Sequence, residues 1–349
     1  MAKTAVTIRD VARVAGVSKS AVSAALTGNG RLSDETKAVI LQTASAMGFE
    51  PNHNARRLQN KGINHMVGLF TLDLDLSVGT RKIKIIRGLL TQQGYDVPIH
   101  SCSYHHEGNA QNTVREMRLL CQQRPRAIIC NTTDLNPEVL TALENYQSDG
   151  GVIICYDRPV DISCDQVIFD REDNSYRATK HLLELGHRDI GFFEVSCTTP
   201  SPIRVRGFAK ALGEFGLTPN EDWLFGVFRE EDFEEDGARM AEYFLNMKKR
   251  PTAVCIVNDY AAIAFISELQ RAGLNVPQDV SVVSHDNRPI ARYCNVPLTS
   301  VSHPIEAIAH KVVDLLLERL NGDCESNYRT SIIQSELIVR ESACPPLKD

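Results

Sequence analysis

The stretch "TIRDVARVAGVSKSAVSAALTGNG", Thr7 to Gly30, decides how this 349-residue chain is read. Thr7 followed three residues later by Asp10 is a capping-box variant, so a helix is expected from Ile8 to Ala15 with Val11, Ala12 and Ala15 inward. Gly16 permits a tight turn because it takes a positive φ without a Cβ clash. Val17 fills the corner, and Ser18 caps a second helix over Lys19–Leu26 that buries Ala21, Val22 and Ala25 or Leu26. Ser33, with Asp34 and Glu35 in the following turn, starts a third helix reaching Met47, with Ile40, Leu41 and Ala44 inward.

Helix, glycine turn, helix, with small residues where the helices cross, is the helix-turn-helix pattern. Its second helix enters the DNA major groove with its N-terminal residues against base edges. On that reading Lys19, Ser20 and Ala24 face the bases, while Thr7, Ser18 and Ser23 donate to phosphates. A small helical bundle with serine caps fits the same pattern.

Charge separates the head from the rest. Residues 1–62 hold nine Lys/Arg against four Asp/Glu, a net of +5, and the remainder holds 29 against 40, a net of −11. A basic head on an acidic body points to an anionic partner for the head alone. The ten cysteines are scattered from Cys102 to Cys344 without a CxxC, which reads as reduced thiols rather than a disulfide framework or a metal site. No apolar run is long enough for a transmembrane helix, and "MAKTAVTIRD" turns polar before a signal-peptide core forms. The expectation is a cytoplasmic protein with no membrane partner.

From "HMVGLF" onward, apolar runs alternate with helical patterns. The strands are read as "MVGLF", "YDVPIHS", "AIICN", "GVIICYD", "QVIFD", "DIGFFEV", "TAVCIVN" and "VSVVSHD". Between them come helices such as "REDNSYRATKHLLELGH", "IRVRGFAKALGEFG", "DYAAIAFISELQRAG" and "EAIAHKVVDLLLERLNG". That alternation argues for parallel, doubly wound sheets, and a segment of this length argues for two such lobes. No glycine-rich phosphate loop follows a strand, so no nucleotide cofactor is expected. His181, His187, His285 and His303 are the acid–base candidates. No nucleophile elbow, HExxH or carboxylate-pair motif accompanies them, so the chain does not read as an enzyme.

The head "TIRDVARVAGVSKSAVSAALTGNGRLSDETKAVILQTASAMGFEPN" closely resembles the DNA-binding head of the lactose/galactose repressor family. "HLLELGHRDIGFF", "GFAKAL", "PTAVCIVNDYAAIAFISELQRAGLNVPQDVSVVSHDN" and "PLTSVSHP" resemble that family's effector core, so the resemblance spans nearly the whole chain. It implies a small all-α helix-turn-helix head plus an α/β periplasmic-binding-protein-like core of two doubly wound parallel-sheet lobes. The implied layout is a head at 1–50, a hinge at 51–64 and a core at 65–349. Within the core, one lobe takes 65–167 plus 297–330 and the other 168–296 plus 331–343.

The resemblance also implies a homodimeric transcription regulator, a repressor, on a near-palindromic double-stranded DNA operator under control of a small-molecule effector. Many relatives have a large polar residue where this chain has Ala24. Ala24 can meet a thymine methyl but makes no bidentate bond, and Arg31 is a compensating DNA contact. "PNHNARRLQNKG" by itself is a basic linker. By resemblance it is a hinge helix that folds on the operator, with Asn52 and Ala55 matching the hinge pattern and Leu58 wedging between base pairs in the minor groove.

In the core the resemblance assigns effector contacts to Arg204, Asn258, Asp286, Asp157 and Phe169, and more loosely to Phe233. Region 70–125 departs most from the family pattern. The polar set suits a carbohydrate or derivative. The alternatives are a non-sugar such as a nucleobase, or an architectural DNA-bending protein that answers no effector. The tail "ESACPPLKD" lacks apolar heptads, so a dimer is expected rather than a coiled-coil tetramer.

Overall fold

The computed structural model describes residues 6–27, 32–47, 49, 65–72, 77–102, 109–133, 135–195, 199–227, 232–322 and 327–347. The chain divides into two compact units, Met1–Asn64 and His65–Asp349.

Three helices form the described part of the first unit: α1 Ile8–Val14, α2 Lys19–Thr27 and α3 Asp34–Ala46. The capping box is present. The Thr7 backbone N–H donates to Asp10 Oδ2 at 3.0 Å, and the Asp10 N–H donates to Thr7 Oγ1 at 3.4 Å. Gly16 takes φ +66° in the turn. Ser18 Oγ accepts from the Ala21 N–H at 3.2 Å and Ser33 Oγ from the Thr36 N–H at 3.2 Å, so both serines cap the helices that follow them. Val11, Ala12, Val22, Ala25, Ile40 and Ala44 form the buried core of the head. Leu41, expected inward, is 42 % exposed. Ile40 and Ala44, four apart, already supply the inward stripe of α3, and Leu41 lies one step around the helix from it.

The second unit holds two six-stranded sheets. The first contains β1 Val67–Leu72, β2 Ile99–Cys102, β3 Ala127–Asn131, β4 Val152–Asp157, β5 Asp165–Phe169 and β11 Thr330–Ile333. Their order is β11-β5-β4-β3-β1-β2, with every pairing parallel. The second contains β6 Ile190–Val195, β7 Leu224–Val227, β8 Ala253–Val257, β9 Ser281–Asp286, β10 Thr299–Ser302 and β12 Leu337–Ile338. Their order is β12-β10-β9-β8-β6-β7, with only β12 antiparallel to its neighbour.

Both sheets are covered on two faces, which is why their strands read as unbroken apolar runs. Helices α4 Ser77–Gln92 and α12 Ile305–Asn321 pack one face of the first sheet, burying Ile86, Leu90, Ile308 and Val312. Helices α5 Asn109–Gln122 and α6 Pro137–Ser148 pack the other, burying Met117, Leu120, Val139 and Leu143. In the second sheet, α7 Arg171–Glu184 and α8 Pro202–Glu214 bury Ala178, Leu182, Phe208 and Ala211 on one face. Helices α9 Phe233–Leu245 and α10 Asp259–Arg271 bury Met240, Phe244, Phe265 and Leu269 on the other. A short α11 spans Pro289–Tyr293.

The division into lobes differs from the one read in the sequence. Segment 297–330 was assigned to the first lobe, but β10 pairs with β9 in the second sheet. Segment 331–343 was assigned to the second, but β11 pairs with β5 in the first. The chain therefore changes sheets after β5, between β10 and α12, and between β11 and β12. The physical reason is that β10 and β11 are only four residues long, and β11 is an edge strand with an alternating, half-exposed pattern. Such a pattern carries no lobe information in one dimension.

Candidate functional site

In each sheet the order places the first and third strands side by side, the topological switch point of a doubly wound fold. Ligands in such folds sit outside the carboxyl ends of the strands. A cavity of about 220 Å³ lies there, walled by residues of both lobes. Asp157, Phe169, Arg204, Phe233, Asn258 and Asp286, the six positions read from the sequence, all line it.

The backbone supports the placement. Asp157 ends β4 with φ +91°, Asn258 follows β8 with φ +138°, and Asp286 ends β9 with φ +99°. Left-handed backbone at a non-glycine residue is unfavourable by roughly 1–3 kcal/mol, and it clusters where side chains must be aimed. Asn258 is held by its cap: its Oδ1 accepts from the Tyr260 N–H at 2.8 Å and the Ala261 N–H at 3.3 Å.

Three ion pairs structure the cavity. Lys82 of α4 donates to both carboxylate oxygens of Asp157, and both side chains are buried. Asn131 Nδ2 adds a bond to Asp157 Oδ2 at 2.7 Å. Burial pushes Asp157 up, but the charge and hydrogen bonds of Lys82, with the charge of Arg171, outweigh it, so the carboxyl lies below its ordinary value. Burial dominates at Lys82 and holds its ammonium below the usual lysine range.

His303 stands beside this pair, its Nε2 3.2 Å from Lys82 Nζ and 3.8 Å from Asp157 Oδ1. Burial and then Lys82 hold His303 well below its ordinary pKa, so the ring is neutral and Nε2 accepts from the ammonium. The Phe169 ring meets His303 edge-on at 4.2 Å, and the Arg171 guanidinium lies 4.3 Å over Phe169.

In the second lobe Arg204 Nε pairs with Glu194 Oε1 at 2.9 Å, and Glu194 Oε2 also accepts from the Ser201 N–H at 2.7 Å. Asp286 Oδ2 faces Asn258 Nδ2 and Arg288 Nε, each at 3.4 Å. Behind them, buried Asp259 accepts from Ser284 Oγ at 2.6 Å, Ser300 Oγ at 2.8 Å and the Arg288 N–H at 2.6 Å. Burial and the neighbouring Asp286 carboxylate push Asp259 up to about 7. This bolt fixes the loop after β9 to α10 and β10, and so aims Asp286.

Lys82, Glu194, Arg288 and Asn174 also line the cavity and carry no site reading from the sequence, and so do His285 and His303, two of the acid–base candidates. Lys82 had a legible signal. It falls four and eight residues before Ile86 and Leu90, on the buried stripe of an amphipathic helix. Of the acid–base candidates, His187 is structural: its ring bonds Thr252 Oγ1 and the Cys344 carbonyl, both at 2.8 Å. His181, on α7, does not line the cavity.

In the head, Ser18, Lys19 and Ser20 are exposed at the start of α2, whereas Ser23 and Ala24 are half-buried. The Thr7 hydroxyl donates to Asp10 Oδ2 at 2.6 Å. Its proton is committed to the cap, so the phosphate-donor role read for Thr7 does not fit this geometry. Arg31, Asn52, Ala55 and Leu58 lie outside the described residues, as do 73–76 and 103–108 of the divergent region.

A capped three-helix head with an exposed second-helix N-terminus, and a two-lobe core with a polar cavity at its strand ends, define a helix-turn-helix protein with a binding-protein-like core. Comparison with known proteins agrees. Residues 7–52 match the family described as bacterial regulatory proteins, lacI family, and residues 179–343 match a periplasmic binding protein-like domain. The chain is 31% identical over 342 residues to the HTH-type transcriptional repressor PurR of Vibrio campbellii, covering 96% of this chain and 98% of that protein. It is 31% identical over 341 residues to PurR of Edwardsiella ictaluri, covering 96% of each. A solved structure of the lac repressor dimer bound to operator and the anti-inducer ONPF shares the fold, with TM-score 0.80 at 23% identity, covering 98% of this chain and 100% of that one. The chain belongs to the lacI family of bacterial regulatory proteins and is a DNA-binding transcription regulator.

Proposed function

We propose that the chain represses transcription as a homodimer on a near-palindromic operator, and that a small polar effector in the cavity sets its affinity for DNA. Lys19 and Ser20 read base edges from the N-terminus of α2, with Ala24 against a thymine methyl. Ser18 and Ser23 meet phosphates, Arg31 adds a contact beyond α2, and Leu58 with Asn52 and Ala55 bends the operator centre. The observation that carries the sensing half is the convergence of Asp157, Asn258 and Asp286, all on left-handed backbone, with Arg204 around one cavity.

The effector is a carbohydrate or derivative. Carboxylates and cations both line the wall, and each sugar hydroxyl both donates and accepts. A ligand bridging the lobes favours one closure of the cleft, and the equilibrium between DNA-competent and incompetent dimers shifts by its differential affinity. A second reading, a nucleobase, is favoured by the aromatic Phe169 and Phe233 at the wall. The PurR relatives above, which are not named for a sugar, keep it in play. Against it, guanidinium groups already lie over both rings, Arg171 on Phe169 and Arg288 on Phe233. The protein does not act as an enzyme on this reading: the cavity's charged groups pair with one another rather than with a nucleophile.

The test has two arms. Selection from random duplexes should return a near-palindrome. Thermal unfolding against sugars, sugar acids, sugar phosphates and nucleobases should find a stabiliser, about 2.7 kcal/mol at a hundred-fold excess over Kd. No selected sequence overturns the DNA half, and no stabiliser overturns the sensing half.

A further inference from the structure

Two buried polar side chains in the cavity have no hydrogen-bonding partner at atoms where one is needed. His285, on β9, is 3 % exposed, and neither Nδ1 nor Nε2 lies within hydrogen-bond reach of a protein group. Asn174, in the first turns of α7, is 4 % exposed, and its Oδ1 accepts nothing. Both line the cavity. An orphaned buried polar atom is unfavourable by about 1–3 kcal/mol, so native structures rarely keep one unless a bound group satisfies it. Here three such atoms belong to two residues that line one cavity, on elements pinned from behind: α7 packs on β9, and β9 is bonded to α10 through Ser284 and Asp259.

From this we propose that Asn174 and His285 are specificity-determining residues of the cavity, selecting a neutral ligand that donates to Asn174 Oδ1 and offers a donor–acceptor group to His285. The inference rests on the effector reading above and deepens it. A carbonyl oxygen cannot receive a carboxylate or phosphate oxygen. Burial, with a further push from Arg204, lowers His285 to about 3. The ring is therefore neutral near pH 7, with one N–H and one lone pair, and offers no charge to an anion. A sugar hydroxyl meets both requirements, as does an adjacent N–H and ring nitrogen of a base. An aldonate or sugar phosphate places a bare anionic oxygen where one of these acceptors stands.

The experiment is thermal and calorimetric titration of the full chain with six probes: D-glucose, D-ribose, D-gluconate, D-glucose 6-phosphate, adenine and hypoxanthine. A neutral probe should bind, and its charged counterpart should not compete. Asn174→Leu and His285→Phe should each weaken that probe by about ten-fold. A sugar hit identifies hydroxyl recognition and a base hit identifies N–H recognition. If gluconate or glucose 6-phosphate binds best, the proposal falls. It also falls, with the cavity reading intact, if a neutral probe binds both variants as it binds the parent while Arg204→Met loses it. Silence from all six probes overturns the cavity reading and the inference together. Should either substitution prevent folding, the ring-nitrogen shifts of ¹⁵N-histidine in the unsubstituted protein decide: His285 should move on addition of the bound probe, and an unmoved signal refutes its contact.

Discussion

Replacing Lys82 by methionine removes one charge from the most buried ion pair in the core while keeping nearly the same volume. Lys82 and Asp157 side chains are 2% and 6% exposed. In the variant, Asp157 retains the Asn131 amide at 2.7 Å, the neutral His303 and the weaker pull of Arg171, whose Nη1 donates to the Asp157 carbonyl at 2.8 Å, none of which replaces the paired ammonium. Leaving one member of such a pair uncompensated destabilises by about 3–5 kcal/mol, whereas replacing both by neutral groups is near-neutral. Lys82→Met should therefore lower stability by about that amount, and Lys82→Met/Asp157→Asn should recover most of it.

For a unit of this size that corresponds to a fall in Tm of roughly 5–8 °C. The single variant should also respond to pH. Its Asp157 is buried without its cation, so its folded pKa rises above the unfolded value, and stability relative to the parent is regained as pH falls toward the acid range. Urea unfolding of parent, both single variants and the double variant gives the coupling directly. A loss under about 1 kcal/mol for Lys82→Met, or a double variant no better than the single, refutes the reasoning.

Other outcomes follow from the same geometry. His285 has a folded pKa of about 3, below its unfolded value near 6.5. Its contribution is complete above the unfolded value and is lost as pH falls toward 3, at about 1.4 kcal/mol per pH unit. Urea midpoints from pH 7 to pH 4 should fall more steeply in the parent than in His285→Phe. A Cβ at Gly207 of α8 would sit 1.9 Å from the Glu172 carbonyl of α7. Gly207→Ala should thus destabilise by about 1–3 kcal/mol, and an unchanged Tm would show that the helices separate freely. Thr7→Ala removes the cap of α1 and should cost the head about 1 kcal/mol, seen as weaker binding to specific and non-specific duplexes alike. Leu58→Ala should weaken operator binding while leaving non-specific binding nearly intact, and equal losses on both would remove the wedge from the account.

The head was legible because local chemistry decides it. Thr7, Ser18 and Ser33 cap, Gly16 turns, and the apolar spacing matches three short helices. The central strands were legible because burial on both faces makes them continuous apolar runs. Helices α4, α5, α6, α9 and the short α11, and strands β7, β10, β11 and β12, are not legible in the sequence. The longer helices are rich in charged and polar residues, and the strands are only two to four residues long. For the site, Asp157, Asn258 and Asp286 stood out as polar residues ending apolar strands. Glu194 lies within an otherwise apolar strand, and Asn174 among polar neighbours at the start of a helix. Only the fold shows that both face the cavity.

The most direct test of the central claim is the affinity of the full chain for its selected operator, with and without the small molecule that stabilises it. Coupling between cavity and head predicts a change of about 5–150-fold in DNA affinity, matched by the same factor in small-molecule affinity when operator is bound. An operator affinity unmoved by saturating ligand would contradict it.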